Sequence, residues 1–516
     1  MRAPPNPVTR AWRATAPLDT VRPPPNAPPM LDLRPVGHVI GLLVAALGAS
    51  MLLPLAVDLA AGNGHWPAFA ESALVTTVFG VFLAISCANG VASHLTLRQT
   101  FLMTTSVWLA LPIFGALPFL FGETDARYVD AFFEAMSGLT TTGSTVFGGT
   151  SEMRLEDLPE GLLLWRGLLQ WFGGIGIIVV AMAFLPELRV GGMQIFRSEG
   201  FDTFGKILPR ATEIATRISV VYISLTLACG ITYFALGMSG FDATVHAMTT
   251  IATGGFANYD ASFGAFGPGV EYAAVVFMAL AALPFVRYVQ MLAGGWSAPL
   301  DDPQIRGFLI TLLIAAAVMV SWQVAHSDRA WEPAIRKALF NVTSIVTGTG
   351  YASEDYMLWG SFAVTVFFFL GLIGGCAGST SCSVKIFRYQ LLFASISAQI
   401  RAIHSPRGMF PPRYDGRPVG DDVLDSVMAF FVVFIVTLGL LSIALGLTGL
   451  DFVTSVSGAG AALGNIGPGL GPEIGPASNF AGLNDAAKWL LAFAMLLGRL
   501  ELLVVFALLS LRFWRE

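Results

Sequence analysis

Apolar residues fill this chain in runs too long for strands and too continuous for the helices of a soluble core. Runs near 37–61 and 71–95 come first. A pattern then recurs four times: an apolar span, a shorter half-hydrophobic segment ending in a Gly/Thr-rich string, and a second apolar span. The first unit has spans near 100–121 and 161–185 around the segment 131–147. The second has spans near 214–238 and 270–293 around 243–259, and the third has 304–326 and 357–375 around 338–353. The fourth has spans near 422–447 and 486–511 around 452–469. A helix of about 20 apolar residues crosses a ~30 Å hydrocarbon core, and each long run is of that size. The short segments offer only about 10–14 residues before their strings, which predicts half-helices that enter and return. Such re-entrant backbone is tolerated only where protein or water surrounds it.

The four strings align as Thr140-Thr141-Thr142-Gly143-Ser144, Ala252-Thr253-Gly254-Gly255-Phe256, Thr347-Gly348-Thr349-Gly350-Tyr351 and Gly464-Asn465-Ile466-Gly467-Pro468. Internal repetition on this scale is the most informative feature of the sequence. Counting back 13 residues from Gly143 and Gly255 reaches Asp130 and Asp242, acids suited to a helix N-terminus.

Composition agrees with the pattern. Of 516 residues only 12% are charged and 55% are hydrophobic, with a mean hydropathy of +0.69. Soluble domains carry about 25% charged residues, and single buried cores stop growing near ~250–300 residues. The chain therefore reads as an all-α polytopic membrane protein. A net charge of −5 gives no reason to expect a nucleic-acid partner. Cys87, Cys229, Cys376 and Cys382 lie in apolar or Gly-rich stretches without a CxxC, so they read as thiols rather than a disulfide frame or metal site. Residues 1–34 are Pro-rich, carry Arg2, Arg10, Arg13, Arg22 and Arg34, and lack the apolar core of a signal peptide, which predicts a disordered cytoplasmic tail.

Charge placement orients the spans. The connection 385–417 holds Lys385, Arg388, Arg401, Arg407, Arg413 and Arg417 against Asp415 alone. The N-terminal tail, the 187–217 connection and Arg512 and Arg515 are also basic, whereas the 151–160 connection carries Glu152, Glu156, Asp157 and Glu160. Lys/Arg-rich connections stay cytoplasmic. Ten spans with both termini inside follow, and the half-helices enter from outside.

The strings suggest a chemistry. Glycine permits backbone that turns successive carbonyls toward an axis, and threonine adds a hydroxyl oxygen without charge. Four such strings around one axis would stack rings of oxygen able to replace the hydration shell of K⁺. The half-helices would point their partially negative C-terminal ends at the same place. No string carries an acid, so a carboxylate ring for Ca²⁺ is not expected. Candidate filter residues are Thr141, Thr142, Gly143, Thr253, Gly254, Gly255, Thr347, Gly348, Thr349, Gly350, Asn465, Ile466 and Gly467. The last span of the third unit breaks at a Gly/Ser-rich stretch, 371–381, where each Gly costs about 1 kcal/mol of helix stability relative to Ala. Gly374, Gly375, Gly378, Ser379, Thr380 and Ser381 are candidates for an intramembrane gate. Arg499 reads as mid-span, where a charge costs at least ~2.5–3.5 kcal/mol. It either pairs with Glu501 or backbone carbonyls, or faces the ion path as an electrostatic barrier, the reading favoured here. Lys385 faces the vestibule or marks the cytoplasmic boundary, and the sequence does not choose.

Other motifs carry less. Gly200 to Lys206 reads GxxxxGK, but Ile207 stands where a P-loop needs Ser/Thr, and no strand precedes it. Gly173, Gly174 and Gly176 sit in an apolar span, where helix packing explains them better than dinucleotide binding. The six His show no paired ligand spacing.

The segments FFEAMSGLTTTGST (132–145), IATGGFANYD (251–260), TGTGYAS (347–353) and GNIGPGLGP (464–472) resemble the filter segments of Trk-type potassium transporters, the membrane subunit of the Trk/Ktr/HKT superfamily. WRGLLQWFGGIGIIV (165–179), SEGFDTFGKILPR (198–210), GGCAGSTSCSVKIFR (374–388) and LLGRLELL (496–503) resemble further stretches of that subunit, and two extra N-terminal spans look like its bacterial Trk branch. The resemblance implies four M1–pore helix–M2 repeats in pseudo-fourfold symmetry plus two extra N-terminal transmembrane helices. The corresponding divisions are a tail at 1–34, a two-helix hairpin at 35–99, and repeats at 100–190, 211–297, 303–400 and 421–516. It further implies a homodimer in the bacterial inner membrane, with one pore per protomer and a cytoplasmic nucleotide-binding regulatory ring as partner. K⁺ is cargo, with no bound cofactor and no enzymatic activity expected. Glycine at Gly143 favours K⁺, since serine in that position goes with Na⁺ preference in the plant branch. The strings differ among themselves, so identical carbonyl rings are not expected at every level. A Na⁺-coupled secondary transporter is the alternative, and an intramembrane lipid-linked transferase a weaker one. Four units running in the same direction count against the first, and the lack of an acid/His/Arg cluster at one membrane face counts against the second.

Overall fold

Two helices, α1 (Arg34–Ala61) and α2 (Trp66–Cys87), precede the first unit and lie along each other. Small residues bring their backbones into contact: a Cβ on Gly41 would sit 2.4 Å from the Ala84 nitrogen, and one on Gly80 2.3 Å from the Ala45 nitrogen. The computed structural model describes residues 32–90, 95–122, 124, 126–149, 154–183, 211–295, 298–510 and 513–514. The tail through residue 31 and the 184–210 stretch, with its GxxxxGK sequence, lie outside the described residues.

Each unit then follows the expected order. Unit one runs α3 (Arg98–Phe121), half-helix α4 (Tyr128–Leu139) and α5 (Glu160–Ala183). Unit two runs α6 (Ala211–Ala235), half-helix α7 (Gly240–Ile251), then α8 (Pro268–Ala281) and α9 (Phe285–Leu292). Unit three runs α10 (Pro303–His326), half-helix α11 (Trp331–Val346), α12 (Ser361–Gly371) and, after a loop, α13 (Ile386–His404). Unit four runs α14 (Asp421–Leu447), half-helix α15 (Phe452–Gly464), α16 (Asp485–Arg499) and α17 (Leu503–Leu509).

Burial sorts these helices. Only 22% of the most apolar stretch of α14 is buried, and Leu440 and Ile443 are each 64% exposed on a face suited to lipid. Every residue of α4 from Ala131 to Leu139 is buried. The half-helices form the centre and the spans surround them. The half-helices have 12, 12, 16 and 13 residues, about 18–24 Å at 1.5 Å per residue and so short of a bilayer core. The third, at 16 residues, exceeds the expected range. Asp130 and Asp242 stand in the first turns of α4 and α7, where the helix dipole favours an acid.

Seven helices among the described residues are long and apolar enough to cross a membrane unbroken. The expected continuous spans 270–293 and 486–511 are instead broken. α8 and α9 meet at 87°, because Pro284 before α9 has no N–H to continue the helix. α16 and α17 meet at 110°, with Glu501 and Leu502 in left-handed backbone at φ 59° and 45°. In unit three α12 ends at Gly371, and two short parallel strands, β1 (Ile373–Gly374) and β2 (Val384–Lys385), close the neck of a loop. The basic stretch after Lys385, read from sequence as a connection, is a 19-residue helix through His404.

Candidate ion filter and gate

All four half-helices end in the same way. The amides of Thr141, Thr253, Gly348 and Asn465 donate three residues back, to the carbonyls of Gly138, Thr250, Ile345 and Ala462. The next amides, of Thr142, Gly254, Thr349 and Ile466, donate five residues back, to Ser137, Thr249, Ser344 and Ala461 at 2.8–3.0 Å. This is the Schellman arrangement, which requires a left-handed residue after the helix. Thr141 (φ 52°), Thr253 (49°), Gly348 (71°) and Asn465 (49°) supply it. Left-handed backbone is unusual for β-branched threonine and costs about 1–3 kcal/mol, a strain that marks functional segments.

Two residues later the chain is left-handed again, at Gly143 (φ 87°), Gly255 (80°), Gly350 (85°) and Gly467 (103°). Here the strings meet. A Cβ on Gly143 would lie 2.3 Å from the Gly254 oxygen, one on Gly255 2.0 Å from the Thr349 oxygen, and one on Gly350 1.8 Å from the Ile466 oxygen. One on Gly467 would lie 2.9 Å from the Thr142 oxygen. Each glycine thus abuts the carbonyl preceding the equivalent glycine of the next unit, and the circuit closes in the order one, two, three, four. All four glycines line one cavity of about 70 Å³.

The side chains follow this symmetry only in part. Thr140 and Thr142 share a hydroxyl contact of 2.7 Å, and Thr347 and Thr349 repeat it at 2.7 Å. Units two and four have Ala252/Gly254 and Gly464/Ile466 in those places. Gln170 of α5 instead braces unit two, donating to the Gly254 oxygen at 2.5 Å and accepting from the Phe256 amide at 3.1 Å. The Asn465 side-chain Nδ2 donates across to the Thr142 hydroxyl at 2.9 Å.

The unit-three loop lies against these strings, with the Cys382 nitrogen 3.7 Å from a Cβ built on Gly348. Gly374 through Cys382 are buried. The loop plugs the break in unit two. The Cys376 amide donates to the Ala282 oxygen at 3.0 Å, the Thr380 hydroxyl to the Ala281 oxygen at 3.0 Å, and the Phe285 amide to the Gly378 oxygen at 3.0 Å. Groups freed by the helix break thus find partners without water. Gln304 accepts from the Ala377 amide at 2.9 Å, the Ser381 hydroxyl from the Gly375 amide at 2.8 Å, and Ser379 donates to the Cys376 oxygen at 2.7 Å.

Arg499 is not mid-span. It ends α16 at the break and is 1% exposed. Its guanidinium donates to the Gly173 oxygen at 2.9 Å and the Thr380 oxygen at 3.4 Å, touches the Cys382 sulfur, and stands 5.5 Å from the Trp108 ring. Pairing with Glu501 does not occur. The left-handed turn carries Glu501 away to Lys385 (3.2 Å) and Arg388. Lys385 is therefore a buried member of an ion cluster at the neck of the loop.

Residues 65–513 match the TrkH family, described as a cation transport protein. The chain belongs to the TrkH family. It is 43% identical over 493 residues to the Trk system potassium uptake protein TrkI of Halomonas elongata, covering 93% of this chain and 97% of that one. It is 34% identical to the Trk system potassium uptake protein TrkH of Escherichia coli over 494 residues, covering 94% and 100%. The crystal structure of the potassium transporter TrkH from Vibrio parahaemolyticus superposes with a TM-score of 0.86 at 33% identity, over 94% of this chain and 100% of that one.

This TrkH-family chain holds its strings from behind through residues that sequence reasoning passed over. The backbone N–H three residues past each aligned glycine meets a side chain of its own half-helix. Val146 donates to Glu134 at 2.9 Å, Asn258 to His246 at 3.4 Å, and Ser353 to Asn341 at 3.2 Å. In unit four Leu470 donates to Ser457 at 2.9 Å. Glu134, His246 and Asn341 each stand nine residues before the aligned glycine, a constant spacing that could have disclosed them. Unit four has Gly458 there, and the preceding Ser457 substitutes. Buried Arg166 completes the first clamp, donating to Glu134 at 2.8 Å, to the Ala257 oxygen at 2.8 Å and to Thr145 at 3.2 Å. Lys488 of α16 reaches Asp130 at 2.6 Å. Gly173 has the packing role expected of it, since a Cβ there would fall 1.9 Å from the Leu139 oxygen.

Proposed function

We propose that this chain is the membrane subunit of a bacterial potassium-uptake system and that K⁺ crosses it through the ring of four strings. The observation that carries the reading is the closed circuit of Gly143, Gly255, Gly350 and Gly467 against one another's carbonyls. A closed ring of backbone oxygens at the ends of four buried half-helices suits a cation that has shed its water. The names of the relatives point to the same ion. The filter residues are Thr141, Thr142 and Gly143, Thr253 to Gly255, Thr347 to Gly350, and Asn465 to Gly467. Hydroxyls at Thr142 and Thr349 but not at Gly254 or Ile466 make the levels unequal, and fewer ordered K⁺ sites follow than in a tetramer of identical strings.

The loop from Gly374 to Cys382 is the gate. It stands beside the strings, docked into the unit-two break, and Arg499 ties it to α5 through Thr380 and Gly173. Opening requires these contacts to part. The Lys385–Arg388–Glu501 cluster joins the loop neck to α13 and α17, which gives a cytoplasmic partner a lever on the loop. In this reading both termini face the cytoplasm, the protein sits in the inner membrane as a homodimer, and a nucleotide-binding regulatory ring supplies the partner.

Cation flux from the purified chain in liposomes tests the proposal. Uptake should be fastest for K⁺ and Rb⁺, with Na⁺ and Li⁺ well behind. Equal rates for all four ions, or no flux from well-folded protein alone or with a regulatory partner, would remove the filter reading.

A further inference from the structure

A cavity of about 530 Å³ lies between the N-terminal hairpin and unit one, walled by α1, α3, α5 and the start of α6. Its size falls within the ~300–1,000 Å³ of ligand pockets and far exceeds the ~10–15 Å³ that holds one water. Beyond the Trp108 indole N–H, the walls offer water little. They are almost entirely apolar, and the two hydroxyls among them are spoken for: Thr104 donates to the Thr100 oxygen at 2.9 Å and Ser219 to the Ala215 oxygen at 2.8 Å. An empty void of this size would forfeit dispersion contacts along its whole lining. The cavity is continuous with the outer face of α1, since Leu43 lines it and is 40% exposed. On that face, among Leu42, Leu52 and Leu53, the surrounding medium is hydrocarbon.

We infer that the cavity is a binding site for a lipid acyl chain, entered beside Leu43. The chain would come from the leaflet on the side where α1, α3 and α6 begin, because the lining residues on those helices, Leu111 apart, lie in their first halves. Its inner end meets Leu139, Trp108 and Gly173. Leu139 is the last residue of half-helix α4, the Trp108 ring faces Arg499, and the Gly173 oxygen accepts from Arg499. A seated chain therefore packs against the residues that hold the Arg499 guanidinium in place. The binding site itself stands independently of what the filter conducts.

The test uses the full chain in nanodiscs containing phosphatidylethanolamine with a photoreactive diazirine midway along one acyl chain, and adducts are mapped by mass spectrometry. Adducts are expected on α5 around Phe172 and Ile175, although 78% of the most apolar stretch of α5 is buried. Filling the cavity with Ala46→Phe and Val107→Phe should lower α5 labelling at least fivefold. Labelling of the exposed outer face of α2, at Leu74, Phe82 and Ile85, should not change and reports ordinary surrounding lipid. The wild-type map alone decides the case if the filled variant fails to fold. An unlabelled α5 in the wild type, α5 labelling that persists unchanged in the filled variant, or occupation of the cavity by another protein segment would each overturn the inference.

Discussion

Gly350 lies so close to Ile466 of the next unit that a side chain carbon on it would stand 1.8 Å from the Ile466 carbonyl oxygen. The same relation loosens around the ring, to 2.0 Å at Gly255, 2.3 Å at Gly143 and 2.9 Å at Gly467. Substitution by serine should therefore damage selectivity in that order. Each site adds a left-handed penalty of about 1–3 kcal/mol, and every ~1.4 kcal/mol of lost discrimination is tenfold in ion preference. The K⁺/Na⁺ flux ratio of Gly350→Ser is expected to fall about tenfold or more, and that of Gly467→Ser the least. An inverted order would mean that the ring does not govern selection.

Much of this ring was legible in the sequence because backbone constraint leaves a composition signature. Repeating half-hydrophobic segments and aligned glycines disclosed the four units, and every residue named for the filter lies in a string that joins the circuit. The breaks at Pro284 and Glu501 were hidden because apolar runs continue across them, and hydropathy does not register a bend. Arg499 was misplaced for the same reason. Its partner could not be Glu501 once the left-handed turn separated them, and backbone angles at a leucine or glutamate cannot be read from residue type. The clamps were missed because Glu134, His246 and Asn341 share a position and a role but no chemistry, and in unit four the role moves one residue, to Ser457.

Those clamps differ in charge, and the difference is measurable. Glu134→Leu leaves Arg166 buried without its carboxylate, which should cost about 3–5 kcal/mol. Asn341→Leu leaves only the neutral Ser353 amide and hydroxyl unpaired, at about 1–3 kcal/mol. Thermal unfolding in detergent should show the larger drop for Glu134→Leu, and both variants should lose K⁺ preference as their strings loosen. If the two were destabilised equally, the Glu134–Arg166 pair would contribute nothing beyond a hydrogen bond.

Docking of the unit-three loop, proposed above as the gate, into the unit-two break predicts variants that open it. Thr380→Val removes the donor to the Ala281 oxygen, and Gln304→Leu the acceptor for the Ala377 amide. Each removes a bond worth about 0.5–1.5 kcal/mol and leaves a buried group unsatisfied on the docked side. Flux of K⁺ should rise severalfold, while the K⁺/Na⁺ ratio stays within about twofold of wild type, because neither residue belongs to the filter circuit. A change in ion ratio without a change in rate would place the loop in the filter instead.

Under the proposed gating, Arg499 restrains K⁺ in one of two ways, and one pair of substitutions separates them. As a charge it raises the potential of a low-dielectric path, where unit charges interact far more strongly than in water. As a tether it holds the loop, since one guanidinium spans the Gly173 and Thr380 carbonyls while resting against Trp108. Arg499→Gln removes both effects and should raise flux severalfold. Arg499→Lys keeps the charge, but a single ammonium lacks the planar fork that reaches two carbonyls at once. The geometry favours the tether, so Arg499→Lys is expected to conduct more like Arg499→Gln than like wild type. Liposome flux for the three proteins, with thermal unfolding of each as a control for folding, decides the matter. Wild-type flux from a well-folded Arg499→Lys would show that charge alone restrains the ion.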